Sequence, residues 1–330
     1  MWRLGWGSAV SVRDHGGNLE QARATYGGVD WIDLSTGINR VPYPVPALSA
    51  EAFSALPTQA AMAGLLQAAA KVYGTLAPMV ALSGAQAVIQ LVPMLRTKGL
   101  ARVLGPTYNE HAATLLACGW LVEEVGDLDA LTGADIAVVV NPNNPDGRHW
   151  SREVLLKLIG KVGLLVVDES FADPMPEQSL VGDAGRDGLL ILRSFGKFYG
   201  LAGLRLGFAL GALADIARLT ELSGPWPVSG PAIEVATLAL QDSSWAKATT
   251  ARLLGEVAQM DEICTNLGWQ VLGGTHLFRL YATPDAQHAQ YLLARAHIWS
   301  RIFPYSKTWI RLGLPGIQAE WARMAALAAR

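Results

Sequence analysis

The chain has 330 residues, 51% of them hydrophobic, with 26 basic and 28 acidic side chains and a formal charge of −2. One core rarely grows beyond roughly 250 to 300 residues, so this length predicts about two domains. A near-neutral surface without long runs of one sign argues against nucleic acid or a membrane as partner and favours a small-molecule enzyme.

Residues 1–10 carry glycines where a signal peptide needs an unbroken apolar run, and no later stretch approaches the roughly 18 uncharged apolar residues of a spanning helix. Cys118 and Cys264 are far apart and lack metal-ligand spacing, the usage of a reducing compartment. A soluble, cytoplasmic protein without a metal site is therefore expected. The first forty residues are irregular. Two segments stand out, His15-Gly16-Gly17-Asn18 and residues 33–39, and from the residues alone both read as loops. Residues 41–46 hold three prolines and read as an extended connector.

Helical spacing runs over 58–73, closed by Gly74. Ser83-Gly84-Ala85-Gln86 opens another helical pattern that continues to residue 95, and such a start presents free backbone N–H groups to a phosphate. Residues 102–111 predict a short strand that breaks at Pro106; Tyr108 reads as a half-buried aromatic and His111 as support for the loop. The apolar run 135–140 opens into Asn141-Pro142-Asn143-Asn144-Pro145-Asp146-Gly147, a turn that cannot continue a strand. A helix over 151–159 follows, then the run 163–168 ending in Asp168, and the run 188–192 leading to Ser194, Lys197 and Arg205. Strand, helix, strand in alternation implies a parallel sheet.

Residues 206–211 predict a further strand, and two glycines with three prolines in 224–231 mark a boundary. One long amphipathic helix is predicted over 232–267. Strands are predicted over 275–282 and 308–314, the second carrying Arg311, with helices between and after. No internal repeat or low-complexity segment is found.

Three strand ends thus converge, offering an amide at Asn144, an acid at Asp168 and an amine at Lys197, and ligands of open α/β sheets bind at that edge. A partly desolvated lysine is suited to Schiff-base chemistry, while Ser194 and Arg205 are suited to hold a phosphate. Residues 164–169 resemble a Walker B strand, but no G-x-x-x-x-G-K-[ST] occurs, so a nucleotide-binding reading lacks its main feature.

Asn144-Pro145-Asp146-Gly147, Asp168 with Phe171, and Ser194, Lys197 and Arg205 resemble the ordered signature of fold-type I pyridoxal phosphate enzymes, the aspartate aminotransferase superfamily. The likeness covers most of the chain. It implies an α/β fold: a large cofactor domain over 41–231 with a mostly parallel sheet, and a smaller α+β domain formed by 232–330 with the arm 1–40. It implies pyridoxal 5'-phosphate bound covalently to Lys197, with Asp168 at the pyridine nitrogen and Tyr108 stacked on the ring. Asn144 would face the ring hydroxyl oxygen. Gly84, Ala85, Gln86, Ser194 and Arg205 would surround the phosphate. Arg311 would grip the substrate carboxylate with Gly37 and Asn39 nearby, and His15 and Asn18 would lie towards a substrate phosphate, with Arg301 as a further contributor of charge.

Within the superfamily the chain resembles histidinol-phosphate aminotransferases and the L-threonine-O-3-phosphate decarboxylases of cobalamin biosynthesis. The His15–Asn18 segment, the 33–39 loop, and Phe171 where tyrosine is common favour the second. That resemblance implies decarboxylation of L-threonine O-3-phosphate to (R)-1-amino-2-propanol O-2-phosphate, with histidinol-phosphate aminotransferase as the alternative. A homodimer with sites near the subunit interface is implied. Leu56-Pro57 stands where histidinol-phosphate aminotransferases carry Tyr-Pro, whose tyrosine reaches the neighbouring subunit's cofactor phosphate, so that one contact is missing.

Overall fold

The computed structural model describes residues 15–328; the leader reading of 1–10 lies outside them. In chain order the strands are β1 (Ile32–Asp33), β2 (Met79–Leu82), β3 (Leu100–Leu104), β4 (Leu121–Val125), β5 (Ile136–Val140), β6 (Leu165–Asp168), β7 (Leu189–Ser194), β8 (Gly207–Gly211), β9 (Gln270–Thr275), β10 (Phe278–Ala282), β11 (Ile298–Trp299), β12 (Arg301–Phe303) and β13 (Ser306–Gly313). Seven form one sheet in the order β2-β8-β7-β6-β5-β3-β4. The neighbours from β7 to β4 are parallel, and β8 runs antiparallel to both β7 and β2.

The unbroken apolar runs of β5, β6 and β7 follow from burial on both faces. Ala137, Val139, Leu165, Val167, Leu189 and Ile191 enter one core. Their alternate neighbours Ile136, Val138, Leu164, Val166, Leu190 and Leu192 enter a second core on the opposite face. Because these strands are parallel, residues 141–147, Asp168 and Ser194 leave the sheet at the same edge.

A second, antiparallel sheet has the order β12-β13-β10-β9, and β1 pairs in parallel with β11. Ile32 is thereby in register with Ile298, so residues near the start of the described chain join its last quarter. The first core continues through Leu34, Phe278, Tyr281 and Leu312, which unites the two large sheets.

Several elements match their sequence signals. The helix Gln59–Tyr73 is capped by Thr58, whose hydroxyl accepts from the Ala61 N–H, and it ends at Gly74. The pattern at 151–159 forms only the short helix Arg152–Leu156. The predicted long helix over 232–267 is two helices, Gly230–Gln241 and Ser243–Asn266, parted at Asp242, whose carboxylate caps the second by accepting from the Trp245 N–H. The expected single strand over 275–282 is a hairpin, with β9 and β10 turning at residues 276–277. The helix Gly230–Gln241 packs on Gln59–Tyr73 beside the large sheet. Among the described residues no helix is long and apolar enough to cross a membrane.

Candidate active site

Asp168 ends β6 with 3% of its surface exposed. One carboxylate oxygen lies 2.9 Å from His111 Nε2; the other accepts from the Ser170 N–H at 2.9 Å and from the Ser170 hydroxyl. Burial alone would push the carboxyl pKa up, but the bonds and charge from His111 and the two Ser170 donors outweigh it, holding the group below its ordinary range. Asp168 is therefore a buried carboxylate, suited to keep a partnered ring nitrogen protonated.

Lys197 lies on the short helix Phe195–Phe198 that follows β7, with its amine 5.6 Å from the centre of the Phe171 ring. Burial lowers its pKa to about 8, assisted by the positive charges of Arg311 and Arg205 and opposed by Asp168. About a tenth of the amine is thus unprotonated at pH 7, far more than for an ordinary lysine, as nucleophilic attack requires.

Gly84 heads the helix Ala85–Leu91 at φ 88°, a conformation that glycine adopts without strain. A Cβ on Gly84 would lie 2.7 Å from an Arg205 guanidinium nitrogen. Gly207, the register partner of Ser194, lies so close to the same turn that a Cβ there would be 2.3 Å from the Ala85 nitrogen. The backbone of the Gly84 turn and the Arg205 guanidinium therefore lie side by side, which suits a phosphate.

The opposite wall is built from β13 and the 33–39 loop. Arg311, 6% exposed, donates to the Asn144 side-chain oxygen and, at 2.6 Å, to the Ser35 backbone oxygen. Its guanidinium stands 5.2 Å from the Phe278 ring, and Phe278 packs edge-on against Phe171 at 4.9 Å. Burial and the nearby Arg301 lower the Arg311 pKa to about 10, so it remains a cation. Arg301 is its register partner on β12. Like charges directly opposed on a sheet repel, and an anion between them relieves the cost.

A cavity of about 810 Å³ lies between these walls, lined by His15, Gly37, Tyr108, Asn144, Lys197, Arg301 and Arg311 among others. The Gly84 turn, Asp168, Ser194 and Arg205 lie outside that lining. Tyr108 joins the two groups, because its hydroxyl donates to the Gln86 side-chain oxygen at 3.1 Å.

Two residues expected at the substrate are not part of this cavity's lining. Asn39 does not line the cavity: its side chain donates to the Phe198 backbone oxygen and accepts from Arg252 and the Val41 N–H. Asn18 caps the helix Leu19–Tyr26 by accepting from the Gln21 N–H, and it borders a neighbouring cavity. His15 lines the main cavity while its ring is bonded to Glu110. Sequence reasoning passed over Glu110 and gave His111 only a loop-supporting role. Two adjacent titratable residues at the head of an otherwise apolar helix, Glu110-His111, were the available signal.

Residues 29–328 match the sequence model of the aminotransferase class I and II family. The chain belongs to that family. It is 41% identical to a threonine-phosphate decarboxylase of a Sinorhizobium species, over 96% of this chain and 97% of that protein. It is also 41% identical to a threonine-phosphate decarboxylase of Pseudomonas aeruginosa, over 94% and 96%. Among solved structures, histidinol-phosphate aminotransferase from Sinorhizobium meliloti in complex with pyridoxal-5'-phosphate superposes with a TM-score of 0.86 at 19% identity, covering 99% of this chain and 98% of that one.

Aminotransferase class I and II enzymes depend on pyridoxal 5'-phosphate, and the residues here fit that group. Lys197 is a depressed-pKa amine for the aldehyde, and Asp168 is a buried carboxylate for the ring nitrogen. At the Gly84 turn the Arg205 guanidinium packs so closely on the backbone that a Cβ would collide with it. Asn144 gives its oxygen to Arg311, which leaves its amide N–H groups to donate to the ring oxygen.

Proposed function

We propose that this protein is a pyridoxal-phosphate-dependent decarboxylase that converts L-threonine O-3-phosphate to (R)-1-amino-2-propanol O-2-phosphate and carbon dioxide, serving cobalamin biosynthesis. The observation that carries this reading is the extent of the likeness. The two threonine-phosphate decarboxylases match at 41% over 96% and 94% of this chain. The histidinol-phosphate aminotransferase of Mycobacterium bovis matches at 35% over 198 residues, 56% of this chain.

When bound, pyridoxal phosphate supplies an electron-withdrawing ring, conjugated to the substrate nitrogen, that accepts the electron pair of the breaking bond. Asp168 holds the proton on the ring nitrogen. Arg311 offers a planar fork for one anionic group of the substrate, and Arg301, opposite it, offers charge for the second. A substrate bearing both a carboxylate and a phosphate satisfies both guanidinium groups. Which substituent of the α-carbon is lost would depend on how Arg311 and Arg301 orient the substrate's carboxylate and phosphate. Once carbon dioxide has left, Cα would need a proton, and the Lys197 side chain in its ammonium form, with a pKa of about 8, would be suited to donate it and become the free amine.

We further propose a cytoplasmic homodimer in which 41–231 form the cofactor domain and 232–330 with the N-terminal arm form the smaller one, the helix Gly230–Gln241 connecting them. A cavity lined by Leu56, Ala61, Ile233 and Leu238, next to exposed Phe53, supports a subunit contact at the face where tyrosine is replaced by Leu56.

Release of carbon dioxide from L-threonine O-3-phosphate by the cofactor-loaded protein, without a keto acid, tests the activity. Lys197→Ala should reduce it by more than about 10³-fold. No release, together with glutamate formation from histidinol phosphate and 2-oxoglutarate, would replace the decarboxylase reading with the aminotransferase one.

A further inference from the structure

Glu110 is buried, with 5% of its surface exposed, yet it belongs to none of the site's expected functional groups. Each carboxylate oxygen has a defined partner. Oε1 lies 2.9 Å from His15 Nε2, and Oε2 accepts from the Gln86 side-chain amide at 3.1 Å. Gln86 in turn accepts from the Tyr108 hydroxyl at 3.1 Å. The His15 ring returns to Tyr108, with centroids 5.9 Å apart, so the four side chains close a ring.

The segment that begins with His15 is fixed at its other end as well. The Gly17 N–H donates to the Ser35 hydroxyl at 2.7 Å, and Gly16 lies so close that a Cβ would stand 2.4 Å from the Ser35 backbone oxygen. That same oxygen accepts from Arg311. Residues 15–17 therefore bridge the substrate arginine at one end and, through Glu110, the ring-stacking tyrosine at the other.

We propose that Glu110 is a positioning residue that couples the His15–Gly17 segment to the cofactor seat. Through Gln86 it sets the tilt of the Tyr108 hydroxyl, and through His15 it holds the segment against the cavity wall. Binding free energies that share one link are reciprocal. Cofactor that stacks on Tyr108 therefore tightens the segment, and loss of the segment's hold loosens the cofactor. This inference rests on the pyridoxal phosphate reading of the site.

Hydrogen exchange and cofactor titration on the full chain test it. Pyridoxal phosphate added to the cofactor-free wild type should raise amide protection at residues 16–19, and E110A should abolish that rise while keeping the visible absorbance that marks attachment to Lys197. Cofactor affinity should fall by about fivefold to tenfold in E110A, the size of one lost hydrogen bond. His15 is far more exposed than Glu110, so H15A cuts the same link from a tolerant position. It should lose the same factor, and the double variant should lose no more than either single one.

Equal protection gains in wild type and H15A, or additive losses in the double variant, would overturn the coupling. Failure of wild type to develop an absorbance that Lys197→Ala removes would instead overturn the cofactor reading beneath it.

Discussion

Arg193 and Arg311 are both nearly enclosed, at 3% and 6% exposure, and both leave Nε without a hydrogen-bond partner, yet their surroundings differ in kind. Arg193, on β7, donates to Glu169 at 2.9 Å, to Asp173 and to the Ser179 hydroxyl, and stacks 4.5 Å from the Tyr73 ring. Burial works against its charge, but the carboxylates outweigh burial and raise its pKa. Arg311 donates to an amide oxygen and a backbone oxygen, has another arginine opposite, and its pKa falls to about 10, mainly through burial. The first arginine is neutralised by the fold itself and ties β6 to β7 just below Asp168 and Lys197. The second is held by neutral acceptors, with its charge left for a ligand.

Replacing each arginine by methionine should separate these roles. Arg193→Met leaves the Glu169 and Asp173 carboxylates buried without their cation and should destabilise the protein by about 3–5 kcal/mol, read as a fall in the thermal midpoint. Arg311→Met should raise KM for the phosphorylated amino acid by roughly 10- to 100-fold, the worth of hydrogen bonds to a charged group. Its thermal midpoint should fall much less than that of Arg193→Met, because relief of an unneutralised buried charge offsets the loss of two acceptors' partner.

Asn39→Ala should resemble the structural arginine in character and be smaller in size. It removes bonds to Phe198, Val41 and Arg252 and should cost about 1–3 kcal/mol of stability while leaving KM nearly unchanged. A KM shift as large as that of Arg311→Met would move Asn39 back to the substrate.

The pH dependence of cofactor capture sharpens the contrast further. The folded Lys197 pKa of about 8 lies below its ordinary 10.5, so the unfolded chain binds that proton more tightly. The cofactor-free protein should therefore gain stability as pH rises from about 8 to 10.5, and lose that contribution as pH falls through 8. The rate of covalent capture should rise with pH and level off above about 8, as free amine becomes available. In Arg311→Met the midpoint should move upward, yet stay below the ordinary lysine value, because burial is the larger cause and persists.

Much of the cofactor side was legible in the sequence because strand ends are punctuated by residue type. Asp168 stops an apolar run, and the 141–147 turn cannot extend its strand. Ser194 ends the unbroken β7, and Lys197 follows it by three residues. The substrate side was less legible, since loops take their places from partners distant in sequence. Asn39 reads as a polar loop residue either way, and only the arrival of Arg252 and Phe198 decides that its side chain turns inward. The hairpin of β9 and β10 was hidden because its turn, His276-Leu277, lacks glycine, while Gly273 and Gly274 lie inside the strand before it. Asp242 did carry a capping signal, but the apolar spacing on either side of it masked the break.

The pairing of Ile32 with Ile298 also fixes an order of assembly. A chain emerges from the ribosome at about 5–20 residues per second. The strand Ile32–Asp33 is thus made early and must wait, without its partner, until Ile298 and Trp299 appear more than ten seconds later. The central parallel sheet can form during that interval, because its last strand, β8, ends at Gly211. The substrate wall cannot: Leu34 must accept from the Gly313 N–H, and Arg311 must find the Ser35 oxygen. During synthesis the large sheet, with the Gly84 turn and Lys197, can thus be in place well before the wall that carries Arg311.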